Sequence, residues 1–194
     1  MKFNLLAVLL ILFTTSSQAA ILTFDDIPGQ SQNSYGAIGN YQGYNFGATN
    51  SLNRLDWIDT VGSKWNNGSV SGDYTMLNNF SGSGIITDQN NSDFSFDGLW
   101  AKTWGNARAR TAYIRGFNNG SVIWTSQITL NSQFTYFSGV SGLIDELRLD
   151  LGNYFLVDNL ALNETTQSVS VSEPASLALF GLGILTLVGI RRLK

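Results

Sequence analysis

The chain contains no cysteine and no histidine. Without thiols there are no disulfide staples, no thiolate catalysis and no cysteine-ligated metal. Without imidazole there is no Ser-His-Asp triad, no ordinary zinc site and no access to the commonest general base. Any enzymatic chemistry would rest on carboxylates, lysine, tyrosine or a carboxylate-bound metal. Proline is nearly absent too, with Pro28 the only one before Pro174. Charge is sparse at 13% of residues, and the formal net charge is −3. Between residues 20 and 168 acidic side chains outnumber basic ones by nearly two to one. A nucleic-acid partner needs a basic face, so that class is set aside.

Long hydrophobic runs occur only at the two ends. Lys2 gives a positive start, Leu5 to Phe13 are apolar and uncharged, and Thr14 to Ala20 turn small and polar. With Ser17 and Ala19 at the −3 and −1 positions, residues 1–19 read as a secretory signal helix for signal peptidase. The apolar run is about nine residues, well short of the roughly 20 that span a bilayer, which disfavours a permanent anchor.

At the other end an uncharged stretch, residues 175–190, is followed by Arg191, Arg192 and Lys194. Basic residues beside an apolar segment stay on the cytoplasmic side, so Arg191, Arg192 and Lys194 act as a membrane stop and the preceding domain lies outside. A transmembrane helix of about 16 residues is roughly 24 Å long against a hydrocarbon core of about 30 Å. Gly181, Gly183 and Gly189 lower its helix propensity further. Such a segment suits brief residence in the membrane better than permanent anchoring.

Ser172-Glu173-Pro174, the glycine-containing apolar helix and the terminal arginine cluster together resemble the PEP-CTERM sorting signal. That resemblance implies export through the inner membrane of a Gram-negative bacterium and cleavage by an exosortase, often in organisms that make exopolysaccharide. The first proline of the Pro-Glu-Pro motif is Ser172 here. The other reading of the tail is an ordinary single-pass anchor.

Between the ends, short apolar runs alternate with Gly, Asn, Ser and Thr, and no stretch sustains a helical apolar period. The pattern predicts an all-β fold, a two-sheet antiparallel β-sandwich over residues 20–162, followed by a polar linker at 163–171. Strands are expected at 21–25, 44–46, 69–76, 84–87, 94–100, 134–137, 146–150 and 154–162. A hairpin is expected from 109–117 and 121–130, joined through Asn118-Asn119-Gly120. Val122, Trp124, Ile128 and Leu130 share one face of its second strand, the expected inner one. Phe155, Leu156, Val157, Leu160 and Leu162 are apolar in both phases, as in a central strand.

The order Leu22-Thr23-Phe24-Asp25-Asp26-Ile27, Tyr41-Gln42-Gly43-Tyr44-Asn45-Phe46, Gly116 to Gly120, and Phe155 to Leu160 is similar to secreted jelly-roll domains of the carbohydrate-binding, galactose-binding-like kind. The resemblance implies that the first and last strands lie side by side. Such modules carry a structural calcium where their terminal strands meet, which makes Asp25, Asp26 and Asp158 a candidate Ca²⁺ set. Asp158 sits in an otherwise apolar strand, where an unpaired carboxylate is costly. Ca²⁺ takes six to eight oxygens at about 2.3–2.6 Å. The alternative is that the three carboxylates cap strand ends or accept backbone amides.

Sugar rings stack their C–H faces on exposed aromatics, while amides and charged groups bond the hydroxyls. Trp57 and Trp65 fall in a loop-like stretch with Arg54, Asp56, Asp59, Asn66 and Asn67, the first place to look for a polysaccharide site; core packing is the competing reading. Trp100 and Trp124 fall in strands and are expected in the core. Arg108, Arg110 and Arg115, with Lys102, form either a contact for acidic polysaccharide or a solvated face. Jelly-roll glycosidases often carry a Glu-x-Asp-x-Glu run, and none is present; Asp145 and Glu146 point to opposite faces of a strand. The Asn-x-Ser/Thr triplets at Asn67, Asn79, Asn90, Asn119 and Asn163 match a chain rich in Asn and Ser.

The sequence thus predicts an exported, non-catalytic, polysaccharide-binding β-sandwich at the cell surface or in the extracellular matrix. A structural or adhesive matrix protein without a small ligand is the second reading, and a carboxylate-dependent hydrolase the third.

Overall fold

The computed structural model describes residues 20–163, and this segment contains strands and turns but no helix. Thirteen strands follow one another: β1 (Ala20–Leu22), β2 (Tyr35–Ala37), β3 (Gly39–Tyr41), β4 (Tyr44–Ala48), β5 (Asp56–Asp59), β6 (Tyr74–Asn78), β7 (Gly84–Asp88), β8 (Phe94–Thr103), β9 (Arg110–Asn118), β10 (Ser121–Leu130), β11 (Thr135–Ile144), β12 (Glu146–Asp150) and β13 (Phe155–Leu162). They form a seven-stranded sheet in the order β11-β8-β13-β6-β5-β2, with β1 also on β13, and a six-stranded sheet in the order β10-β9-β12-β7-β4-β3. The recorded pairings are all antiparallel. The protein is a two-sheet antiparallel β-sandwich. The signal segment 1–19, the linker beyond residue 163, the sorting residues and the 175–190 helix lie outside the described residues.

Phe94, Phe96, Met76, Val157 and Leu160 from the larger sheet meet Phe46, Ile86, Ile114, Leu147 and Leu149 from the smaller one. Burying each large apolar side chain contributes about 1.5–3 kcal/mol, which is how a chain without disulfides holds two sheets together. β13 is central, as its apolar residues in both phases require. Its first half pairs with β6, its second half with β1, and its other edge with β8. The first and last strands are therefore neighbours.

One side of β13 faces the second sheet. The opposite side, represented by Leu156, packs with Ile58 and Leu77 beneath Trp65, Trp104 and Phe134. The outer face of the larger sheet is thus covered by the β5–β6, β8–β9 and β10–β11 connections. That layer, invisible as a separate element in the sequence, builds the candidate site.

Several expectations are corrected. β1 stops at Leu22 because Phe24 takes a positive φ of 63°. The strand expected at 69–76 begins only at Tyr74, and β2, β3 and β5, at three or four residues each, are too short for alternation to predict. The hairpin turn is two residues, Asn119-Gly120, both at positive φ, and Asn118 belongs to the strand. A bulge between Val122 and Trp124 turns Val122 outward, leaving it 50% exposed, while Ile128 and Leu130 are buried as expected. Trp100 is half-buried on the outer face, packed against Tyr136 rather than in the core. The cause is a phase change at Gly98, whose φ of 146° suits glycine and sits beside irregular pairing with β13. Phe94 and Phe96 point inward before it, and Leu99 and Ala101 after it, so Trp100 and Lys102 turn out.

Candidate functional site

Asp25 and Asp158 clamp one loop from two sides. Asp158 follows the inward Val157 on β13, so its side chain leaves the sheet on the outer face under residues 69–73. Its Oδ2 accepts the amides of Val70 at 2.6 Å and Ser71 at 3.0 Å, and its Oδ1 accepts that of Asn159 at 2.7 Å. Asp25 Oδ1 accepts the amides of Asp73 and Tyr74 at 2.9 and 3.0 Å. Gly72 joins the two halves at φ 55°, and a Cβ there would lie 2.0 Å from Asp25 Oδ1. Only glycine fits.

Asp26 turns elsewhere, accepting from the Tyr41 hydroxyl and from Gln42 Nε2. Burial and the Asp26 carboxylate raise the Tyr41 phenol well above its ordinary range. Burial also pushes Asp158 up to about 6, against the pull of its three amides. These amides supply N–H donors where a calcium ion would need free oxygens. Among the described residues no group of three carboxylates is placed to hold a metal ion.

The expected aromatic patch is split. Trp57 lies in β5, 6% exposed, edge-on to Tyr74 and with Gly36 against its indole. It is a core residue, contrary to its loop-like setting in the sequence. Asp56 and Asp59 are buried with it. Asp56 pairs with Arg54 Nε at 2.8 Å, while burial outweighs that cation and pushes its carboxyl up. Asp59 accepts the Asn33 amide at 2.6 Å. Arg54, Asp56 and Asp59 therefore serve the strand, and of this set Trp65, Asn66 and Asn67 reach an open site.

That site is a cleft of about 620 Å³ over the outer face of the larger sheet. Lys64 to Gly68, Trp104 to Asn106, and Ser132 with Gln133 form its rim, and Lys102 forms part of its floor. Trp65 and Trp104 are half-buried, seated on the Ile58–Leu77–Leu156 cluster with their remaining surface toward the cleft. Trp65 is braced edge-on by Tyr35 at 5.9 Å, and Lys64 Nζ lies 4.3 Å from its ring centroid. Asn67 ties two walls together, its Oδ1 accepting the Gly105 amide at 2.8 Å and its carbonyl accepting Lys102 Nζ at 2.8 Å. A second hollow of about 210 Å³, lined by Leu77, Asn79, Trp104 and Tyr154, lies against another side of Trp104. Two aromatic plates with amides between them can stack sugar rings and bond hydroxyls.

The arginines are dispersed. Arg115 pairs with Asp150, Arg110 donates to the carbonyls of Asn153 and Tyr154, and Arg108 is exposed. Of the basic set only Lys102 lines the cleft, and Trp104, Asn106 and Gln133 are site residues that the sequence does not single out. The Trp-Gly-Asn triplet at 104–106, directly after a strand, carried the signal for Trp104.

Beyond this domain, one stretch of the chain has a defined relative. Residues 170–192 match the PEP-CTERM protein-sorting motif. The motif marks an exported protein sorted to the cell surface and implies processing by an exosortase. It covers the tail and leaves residues 20–163 unassigned. No curated protein matches the chain. Among solved structures, TmCBM61 in complex with β-1,4-galactotriose is 10% identical, with a TM-score of 0.36 over 64% of this chain and 90% of its own. The enzymatically active domain of bacteriophage CBA120 tailspike protein 4 is 13% identical, with a TM-score of 0.36 over 71% and 21%. At that level of likeness, neither the ligand of the first nor the activity of the second transfers to this chain. Among the described residues no helix is long and apolar enough to cross a membrane.

Proposed function

We propose that the β-sandwich is a non-catalytic polysaccharide-binding module displayed at the cell surface or released into the matrix. The observation that carries this reading is the Trp65–Trp104 cleft, two aromatic plates on a braced apolar floor with amide side chains at the rim. Bracing matters because a sugar then finds its stacking surface already ordered, and little conformational entropy is lost on binding. No carboxylate of the described residues lines the cleft, which supports binding over acid–base hydrolysis. In the same reading, signal peptidase removes residues 1–19. The 175–190 segment then holds the domain briefly at the inner membrane of a Gram-negative cell, with Arg191, Arg192 and Lys194 inside, until exosortase cuts near Ser172-Glu173-Pro174.

A glycan array, together with co-sedimentation with the exopolysaccharide of the host, tests the module. Binding that weakens at least tenfold in Trp65→Ala and in Trp104→Ala is the expected result. A blank array and no co-sedimentation would leave a structural or adhesive matrix protein, and release of reducing ends over time would mean a hydrolase. The mass of the protein recovered from its host tests processing, since retention of residues 175–194 would contradict the sorting step.

A further inference from the structure

Lys102 is 6% exposed, yet it lines the floor of the cleft. A buried ammonium ordinarily has a carboxylate beside it, because removing the charge from water is costly. Here the one hydrogen bond of Nζ goes to a neutral carbonyl, that of Asn67 at 2.8 Å. An ammonium has three N–H donors, so two have no partner among the described residues.

The nearest acid that the register puts on the same face is Asp158, opposite Trp100 and so two residues along β8 from Lys102. The amides of Val70, Ser71 and Asn159 take up its oxygens, and among the described residues no ion pair joins it to Lys102. Asp56, Leu77, Leu156 and Lys102 are successive cross-strand partners in one row on the outer face. Three strand spacings of about 4.8 Å put Asp56 roughly 14 Å away, behind two leucines. Asp56 is already paired with Arg54. The Phe134 ring, 5.5 Å from Nζ, gives partial compensation only. Lys64 stands at the rim of the same cleft, so both charged groups in the lining are positive, in a chain that is acidic overall. Burial also lowers the Lys102 pKa, in keeping with a cation that lacks its counter-ion.

We propose that the cleft selects an acidic polysaccharide, with a sugar carboxylate completing the coordination of Lys102 Nζ while Trp65 and Trp104 flank the rings. This rests on the glycan-binding reading above and narrows it to uronate-containing chains. The carboxylate accepts the two free N–H groups from inside the cleft, and Lys64 adds a second, solvated contact at the rim.

The test uses the purified full chain and two probes that differ only at C6, a β-1,4-linked tetraglucuronate and cellotetraose, titrated calorimetrically. The expected result is at least tenfold tighter binding of the tetraglucuronate at 50 mM NaCl, with the preference shrinking severalfold at 500 mM. In Lys102→Met the ratio of the two affinities falls to about one, while the salt series on the unaltered protein gives a readout independent of folding of the variant. Equal binding of both probes, or a preference for cellotetraose, overturns the acidic-ligand inference and leaves the module reading intact. Binding of neither probe also overturns it, and a blank glycan array alongside removes the module as well.

Discussion

Asp158 joins two opposed influences in one side chain. It is 0% exposed, which disfavours its charge, and it accepts three backbone amides, which favour it. Burial prevails, and its pKa stands at about 6. In the unfolded chain an aspartate titrates near 3.9. The folded protein therefore binds this proton more tightly than the unfolded one, and stability falls as pH rises between the two values. At about 1.36 kcal/mol per unit, the ionised form costs the fold on the order of 3 kcal/mol above pH 6. Other carboxylates titrate over the same range, so the measurement is a difference. Urea unfolding followed by tryptophan fluorescence at pH 4 and at pH 7, on the native chain and on Asp158→Asn, isolates the group. The native protein should lose about 2 kcal/mol relative to the variant on going from pH 4 to pH 7, since the unfolded aspartate is already about half ionised at pH 4. A difference that is flat with pH, or one in which the native protein gains toward neutrality, would refute the reasoning. It would mean that the amides of Val70, Ser71 and Asn159 outweigh desolvation.

Gly72→Ala should destabilise by about 2–4 kcal/mol in the same assay, from a strained left-handed backbone and loss of the Asp25 bonds to residues 73 and 74. Phe155→Ala, emptying a fully buried site on the central strand, should cost about 3–5 kcal/mol, whereas Ile123→Ala at the exposed bulge should stay within about 0.5 kcal/mol. Melting temperatures in 1 mM CaCl₂ and in EDTA should coincide, because amide donors already occupy Asp25 Oδ1 and both Asp158 oxygens; a calcium-dependent rise would support the ion. A periplasm-dependent reporter fused just before Glu173 should be active, and cytosolic location of that fusion would contradict export.

The sequence by itself determined what depends on local chemistry. A sorting tail is read as a linear string by its processing enzyme, so residue order suffices, and the 170–192 match bears the tail out. Alternating apolar residues decided the sandwich, and the two-phase apolar run at 155–162 decided its centre. The Asn119-Gly120 turn followed from the backbone freedom that those residues give. What strict alternation could not reveal was any break in it. Gly98 shifts the phase of β8, and the bulge at Val122 shifts that of β10, so Trp100, Lys102 and Val122 exchanged sides relative to a simple count. Nor does linear order show which tryptophan lies under a neighbouring strand. Trp57 and Trp65 have similar surroundings in the chain, and only the pairing of β5 with β2 and β6 buries one while the loop leaves the other at an open cleft. The cleft itself joins residues from three connections far apart in sequence. Long-range packing alone brings Trp65, Lys102, Trp104 and Gln133 to one place, and it alone leaves Lys102 buried without an acid.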